Sequence, residues 1–232
     1  MRPTGRVVAG DRLRMAKEDT LVIHEIYASI QGESTFAGVP CTFVRTTGCN
    51  LRCSWCDTTQ AFKGGTRMRR ADVLEKALAF DTPLVELTGG EPLLQPGVLP
   101  LMSELCDAGR TVLIETSGEA DIAKVDPRVH RIMDLKAPLS GESHRNRLSN
   151  LELLTANDEL KFVLAGREDY EWMRMMIATH SLGSRVPTLL ASTVFGRLAA
   201  RHLVDWVLED KLPVRVQLQM HKYIWAPETQ GV

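Results

Sequence analysis

Three of the five cysteines, Cys49, Cys53 and Cys56, fall within the short stretch GCNLRCSWCDT. Thiolates are soft ligands suited to iron–sulfur chemistry, and the spacing Cys-x3-Cys-x2-Cys on one loop can fill three corners of a cubane cluster. The fourth ligand is missing. A cluster that only carries electrons wants four cysteines, whereas an open iron can bind the amino and carboxylate groups of a cofactor. A structural zinc site is the alternative reading. It would need a fourth Cys or His, and the nearest histidine in sequence is His24. Cys41, in a predicted strand, and Cys106, on the core face of a predicted helix, read as small buried hydrophobes. An odd count with one tight cluster argues against a disulfide framework and for metal ligation in a reducing compartment.

This cysteine spacing resembles the signature of the radical S-adenosylmethionine (SAM) superfamily, which implies a 4Fe-4S cluster and SAM. A second feature fits. The run LTGGEP follows a predicted strand at its C-terminal end, where α/β folds place ligands. Gly89 and Gly90 let the backbone approach a ligand closely. In that superfamily the segment corresponding to Gly89, Gly90 and Glu91 receives the methionine amino group. ETSG and DLKAP end the next two predicted strands and face the same mouth, so Ser117, Asp134 and Lys136 are candidates for cofactor contacts. A helix cap or a surface ion pair is the competing role for each of these three.

Short β-rich runs alternate with helical ones and must position these groups. LVIHEIYASI, CTFVRTTG, PLVELTGGEP, TVLIETSG, RIMDLKAP, ELKFVLAG, TLLASTVFG and VRVQLQMHKYIW read as strands. ADVLEKALAF, VLPLMSELCDAG, REDYEWMRMMIATH and LAARHLVDWVLED have helical spacing. Strands separated by helices pair in parallel through right-handed crossovers. The expectation is an α/β fold, a partial (open) parallel β/α barrel of the radical SAM type. Residues 1–20 read as a loose extension and 21–232 as a single domain.

The chain has 232 residues, 44% hydrophobic and 25% charged, with a net charge of -1. No overall basic field argues for nucleic acid or an anionic membrane. No apolar run approaches the roughly 20 residues a membrane helix needs. The first twenty residues lack the apolar core of a signal peptide, and Asp11, Glu18 and Asp19 dilute the basic bias of a transit peptide. A cytoplasmic location is expected.

The stretch EIYASIQGESTFAGVPCTFVRTTGCNLRCSWCDT closely resembles the start of the 7-carboxy-7-deazaguanine synthase family. The likeness runs on through LTGGEPLLQ, ETSG, MDLKAPLSGE, NLELL, DELKFVLA and QLQMHKYIW, and so covers nearly everything after about residue 20. It implies a homodimer that uses magnesium and converts 6-carboxy-5,6,7,8-tetrahydropterin to 7-carboxy-7-deazaguanine with loss of ammonia. It implies substrate contacts from Ile30, Gln31, Gly32, Arg45, Thr88, Glu115 and His221. Arg45 would pair with the substrate carboxylate, a task its planar fork suits. Thr58 would bind Mg2+, with waters and that carboxylate completing the octahedron. Gly90 and Ser192 would meet the cofactor.

The same resemblance implies flavodoxin as electron donor and hydrogen removal from carbon 6 of the pterin, with the hydrogen later returned and SAM regenerated. Three departures stand out: the N-terminal extension, the tail APETQGV, and the short form of the cysteine loop. A glycyl-radical activase shares the cysteine spacing, but QGES and HKYIW match the deazapurine enzymes instead. A non-catalytic zinc or iron–sulfur scaffold is the reading from a different class.

Overall fold

The computed structural model describes residues 18–232. The expected N-terminal extension therefore lies outside the described residues except for 18–20, and Thr20 already opens the first strand. The strands are β1 Thr20–Ile30, β2 Pro40–Thr46, β3 Thr66–Arg69, β4 Leu84–Gly89, β5 Thr111–Thr116, β6 His130–Asp134, β7 Glu159–Leu164, β8 Thr188–Thr193 and β9 Arg215–Gln217. The helices are α1 Arg70–Leu78, α2 Val98–Asp107, α3 Arg167–Thr179, α4 Leu182–Arg185, α5 Ala200–Asp210 and α6 His221–Ile224. All nine strands form one sheet, in the order β3-β1-β2-β4-β5-β6-β7-β8-β9. Its two edges do not pair, so the barrel is open, as expected.

Parallel pairing holds from β2 to β9. It fails at the start, where β1 pairs antiparallel with both β2 and β3. Only the segment 31–39 joins β1 to β2, too short for the crossover that parallel neighbours require. The alternation with helices is also incomplete, since no α-helix joins β5 to β6 or β6 to β7 among the described residues. The last predicted strand shrinks to three residues. After it the chain leaves the ladder, Met220 N–H donates to Gly32 O at 2.9 Å, and α6 begins.

Helices α1, α2, α3 and α5 cover the outer face of the sheet because each carries one apolar stripe. Val98, Leu101, Met102 and Leu105 are the buried positions of α2, and Tyr170, Met173, Met176 and Ile177 lie among those of α3. They pack on Val44, Leu87, Ile114, Met133 and Phe162, which belong to the same core. The inner face is layered. Cys41, Phe43, Leu84, Leu113 and Ile132 form a small apolar floor, with Phe36 and Val39 of the 31–39 hairpin packed against it. Ile30 faces Pro40 in the ladder, so this hairpin closes the N-terminal end of the parallel strands. The cysteine loop leaves the opposite, C-terminal end of β2.

Candidate active site

Between floor and mouth lies one cavity of about 680 Å³. Strand side chains of one face recur every second residue, and the cavity-lining positions do so: Glu25 and Tyr27, Phe43 and Arg45, Glu86 and Thr88, Asp134 and Lys136, Lys161 and Val163. Cys49, Cys53, Cys56, Thr58, Gly89, Gly90 and Ser117 line its upper part, and Ile30, Gln31, Gly32, Glu115 and His221 also line it. The chain thus brings nearly every expected site residue to one space.

Two expected residues do not reach it. Glu91 is fully buried, and its carboxylate accepts from Leu93 N (3.0 Å), Thr116 Oγ1 (3.0 Å), Ser117 N (2.7 Å) and Ser117 Oγ (2.6 Å). It ties the turn after β4 to the end of β5 and has no oxygen to spare for a ligand. Ser192 is buried within β8 and outside the cavity wall.

The cysteine loop has no regular secondary structure and is held from several sides. Gly48 N–H donates to Ala61 O (2.8 Å), Glu91 N–H to Gly48 O (2.8 Å), and Ser54 N–H to Ser140 O (3.0 Å). Asn50 Nδ2 reaches Glu119 (2.7 Å), and the Arg197 guanidinium donates to Ser54 O (2.9 Å). Burial pushes the Cys53 thiol up to about 11, and it raises Cys56 as well. The three thiols share one cavity without converging on a point. Among the described residues no three His, Cys, Asp or Glu side chains are arranged to hold a single metal ion.

The residues fit a cluster with a second organic ligand. Asp134 Oδ2 takes the Lys136 ammonium at 2.7 Å, while its Oδ1 is buried with no partner. That leaves an acceptor at the cavity wall for a cofactor's amino or hydroxyl group. Burial alone would drive Lys136 to lose its proton, but Asp134 and Cys53 outweigh it and hold the ammonium charged.

Deeper in, polar groups are arranged by charge. Arg45 is gripped from β1, with Nε donating to Glu25 (2.7 Å) and Nη2 to Tyr27 Oη (2.8 Å). This leaves Nη1 for an incoming anion. Lys161, 6% exposed at its side chain, pairs with Glu33 at 3.1 Å and with Glu115. Burial favours the neutral amine, yet those two carboxylates raise its pKa well above the ordinary lysine value. Glu33 also accepts from Gln219 Nε2 (3.0 Å). Burial lowers the His221 pKa, and a Cβ on Gly32 would lie 2.6 Å from His221 Nδ1, so glycine is what lets the ring seat there.

Sequence reasoning missed Glu25, Tyr27, Glu86 and Lys161 as parts of the site. A signal was present: Glu86 in PLVELTGG and Lys161 in LKFVL are charges set inside apolar strands, where a charge needs a partner or a purpose.

Residues 43–197 match the radical SAM superfamily. Two similar proteins bear the name 7-carboxy-7-deazaguanine synthase. One, from Chlorobaculum tepidum, is 48% identical over 94% of this chain and 100% of its own length. The other, from Koribacter versatilis, is 47% identical over 90% of this chain and 99% of its own. A crystal structure of QueE from Escherichia coli has the same fold, with a TM-score of 0.65, at 21% identity over 85% of this chain and 94% of that one.

Proposed function

The chain belongs to the radical SAM superfamily and, within it, to the 7-carboxy-7-deazaguanine synthases, lyases of 7-deazapurine biosynthesis; from that premise we propose how its residues convert 6-carboxy-5,6,7,8-tetrahydropterin to 7-carboxy-7-deazaguanine with loss of ammonia. The observation that carries the reading is the single cavity that joins the three cysteines at its mouth to Arg45, Glu115 and Lys161 below.

Cys49, Cys53 and Cys56 would hold a 4Fe-4S cluster, and Gly89, Gly90, Ser117, Asp134 and Lys136 would line the SAM pocket. When bound, these groups would supply radical chemistry able to take hydrogen from carbon 6 of the pterin. The protein's part is positioning and exclusion of water. Arg45, held by Glu25 and Tyr27, offers its remaining N–H groups to the substrate carboxylate. Thr58 lies beside Asp57, which pairs with Lys222 at 2.8 Å, and its hydroxyl would bind Mg2+ together with waters and that same carboxylate. The backbone of Ile30, Gln31 and Gly32, with Thr88, Glu115 and His221, would meet the heterocycle.

The family resemblance supports two further readings, a homodimer and flavodoxin as electron donor, while length and composition support residues 21–232 as one domain and a cytoplasmic location. Among the described residues no helix is long and apolar enough to cross a membrane.

The test is anaerobic reconstitution with iron and sulfide, then reductant, SAM, Mg2+ and the pterin, followed by mass spectrometry. Multiple turnovers to 7-carboxy-7-deazaguanine without matching loss of SAM are expected. Cleavage of SAM without that product would move the substrate to another family.

A further inference from the structure

Glu86 is 2% exposed and points from β4 into the middle of the cavity wall. Its Oε2 accepts a hydrogen bond from Gln31 Nε2. The Gln31 amide is held at both ends, because its Oε1 takes Glu33 N–H at 2.8 Å. Among the described residues no cation forms an ion pair with Glu86. Lys161 is bound to Glu33 and Glu115, and the Arg45 guanidinium is turned to Glu25 and Tyr27. The groups facing Glu86 are Tyr27 from β1, Glu33 from the hairpin, Cys41 and Arg45 from β2, Glu115 from β5 and Lys161 from β7.

These six acids and bases leave no room for another buried anion. Glu25, Glu33 and Glu115 already outnumber Lys161 and Arg45. An ionised Glu86 would add a desolvated charge whose one partner is a neutral amide, at a cost of several kcal/mol. Burial first, then the Glu115 charge, push its pKa well above the usual carboxylate range.

We propose that Glu86 is a further substrate-contacting residue: an uncharged carboxylic acid that fixes Gln31 with one oxygen and offers its O–H to an acceptor atom of the substrate's pyrimidinone ring. This rests on the substrate reading above and deepens it. A pyrimidinone ring shows donors, its amino and ring N–H groups, and acceptors, its carbonyl oxygen and unprotonated ring nitrogen. Carboxylates such as Glu115 and Glu33 can satisfy only the donors. A protonated Glu86 supplies a donor there without adding charge, as the carboxylates of Glu33 and Glu115 cannot. Glu86 also sets the hairpin whose backbone, at Ile30 to Gly32, borders the same space.

Two measurements on the folded chain test this, the first without ligand and the second with Mg2+ present. In the infrared, the parent at neutral pH is expected to show a protonated-carboxyl carbonyl band that Glu86→Gln lacks. Identical spectra would overturn the proposal. In the second, 6-carboxypterin, which has no hydrogen at carbon 6 to lose, is titrated and followed by its fluorescence. Parent affinity is expected to fall as pH rises past neutrality. Glu86→Gln, which keeps an N–H donor and cannot ionise, is expected to bind within about threefold and to flatten that decline, whereas Glu86→Leu loses about tenfold. A leucine variant that binds like the parent, or a glutamine variant that keeps the parent's pH profile, would overturn the contact. A parent that shows the band but does not bind 6-carboxypterin would overturn the substrate reading and the contact with it. A parent that binds but lacks the band would overturn Glu86's role alone.

Discussion

A Cβ placed on Gly90 would lie 2.1 Å from the carbonyl oxygen of Gly48 and 2.9 Å from Cys49 Cβ. The turn after β4 and the start of the cysteine loop therefore touch backbone to backbone, and Glu91 N–H clamps them at 2.8 Å. The turn that would line the cofactor pocket and the loop that would hold the cluster are one mechanical unit.

Gly90→Ala must push these backbones apart, because neither neighbour is a flexible side-chain end. Overpacking of this kind costs about 1–3 kcal/mol. The variant is expected to melt at lower temperature and to lose the SAM-induced change in the electron paramagnetic resonance signal of the reduced cluster. An unchanged signal would mean that the two segments do not act together.

Replacing Cys49, Cys53 or Cys56 by Ala is expected to abolish turnover and most bound iron. The thiols sit in an irregular loop at the cavity mouth and outside the apolar core, so circular dichroism should stay that of the parent. Iron analysis beside the product assay makes the check, and an active, cluster-free variant would remove the cysteines from the chemistry.

Glu25 and Tyr27 hold the Arg45 guanidinium from β1. Tyr27→Phe and Glu25→Gln each remove one bond to the guanidinium, worth about 1.5–3 kcal/mol when a charge is involved. KM for the pterin is expected to rise roughly tenfold or more, with kcat changing less. Equal effects on a substrate lacking the carboxylate would show that the grip on Arg45 is not the cause.

Thr58→Ala is expected to reduce stimulation by Mg2+ while leaving SAM affinity near the parent's. Magnesium titrations of both proteins read this out directly, and equal stimulation would take Thr58 out of the metal site.

The raised pKa of Glu86 also fixes a sign for stability. Its uncharged form is favoured in the folded chain, so the folded state keeps a proton that the unfolded state releases at the ordinary carboxylate value. Stability from this group is full below that value and is lost as pH rises through the folded one. Glu86→Gln cannot ionise, so it should gain on the parent as pH rises. Thermal melts across mildly acidic to mildly alkaline pH provide the comparison, and parallel curves would contradict the assignment.

The upper half of the site was legible because its chemistry is written in contiguous motifs. Cys-x3-Cys-x2-Cys and Gly89-Gly90 need no tertiary information to suggest a cluster and a close backbone approach. The groups that sequence reasoning missed lie lower down and are single residues inside strands: Glu25 and Tyr27 of β1, Glu86 of β4 and Lys161 of β7. Which of them share a depth depends on register and strand tilt, and a sequence does not show either. Glu91 illustrates the converse. Its place in GGEP suggests a ligand contact, yet the end of β5 folds back to occupy both carboxylate oxygens. The antiparallel entry of β1 was hidden for a similar reason, since an apolar strand reads alike in either direction.

The central claim is that this one cavity holds carbon 6 of the pterin against the carbon that the cofactor supplies. The most direct measurement is turnover of substrate deuterated at carbon 6, with the recovered SAM analysed by mass spectrometry. Deuterium in the 5′ position of the recovered SAM is the predicted result. Product formed at the normal rate with no deuterium in that cofactor would contradict the account.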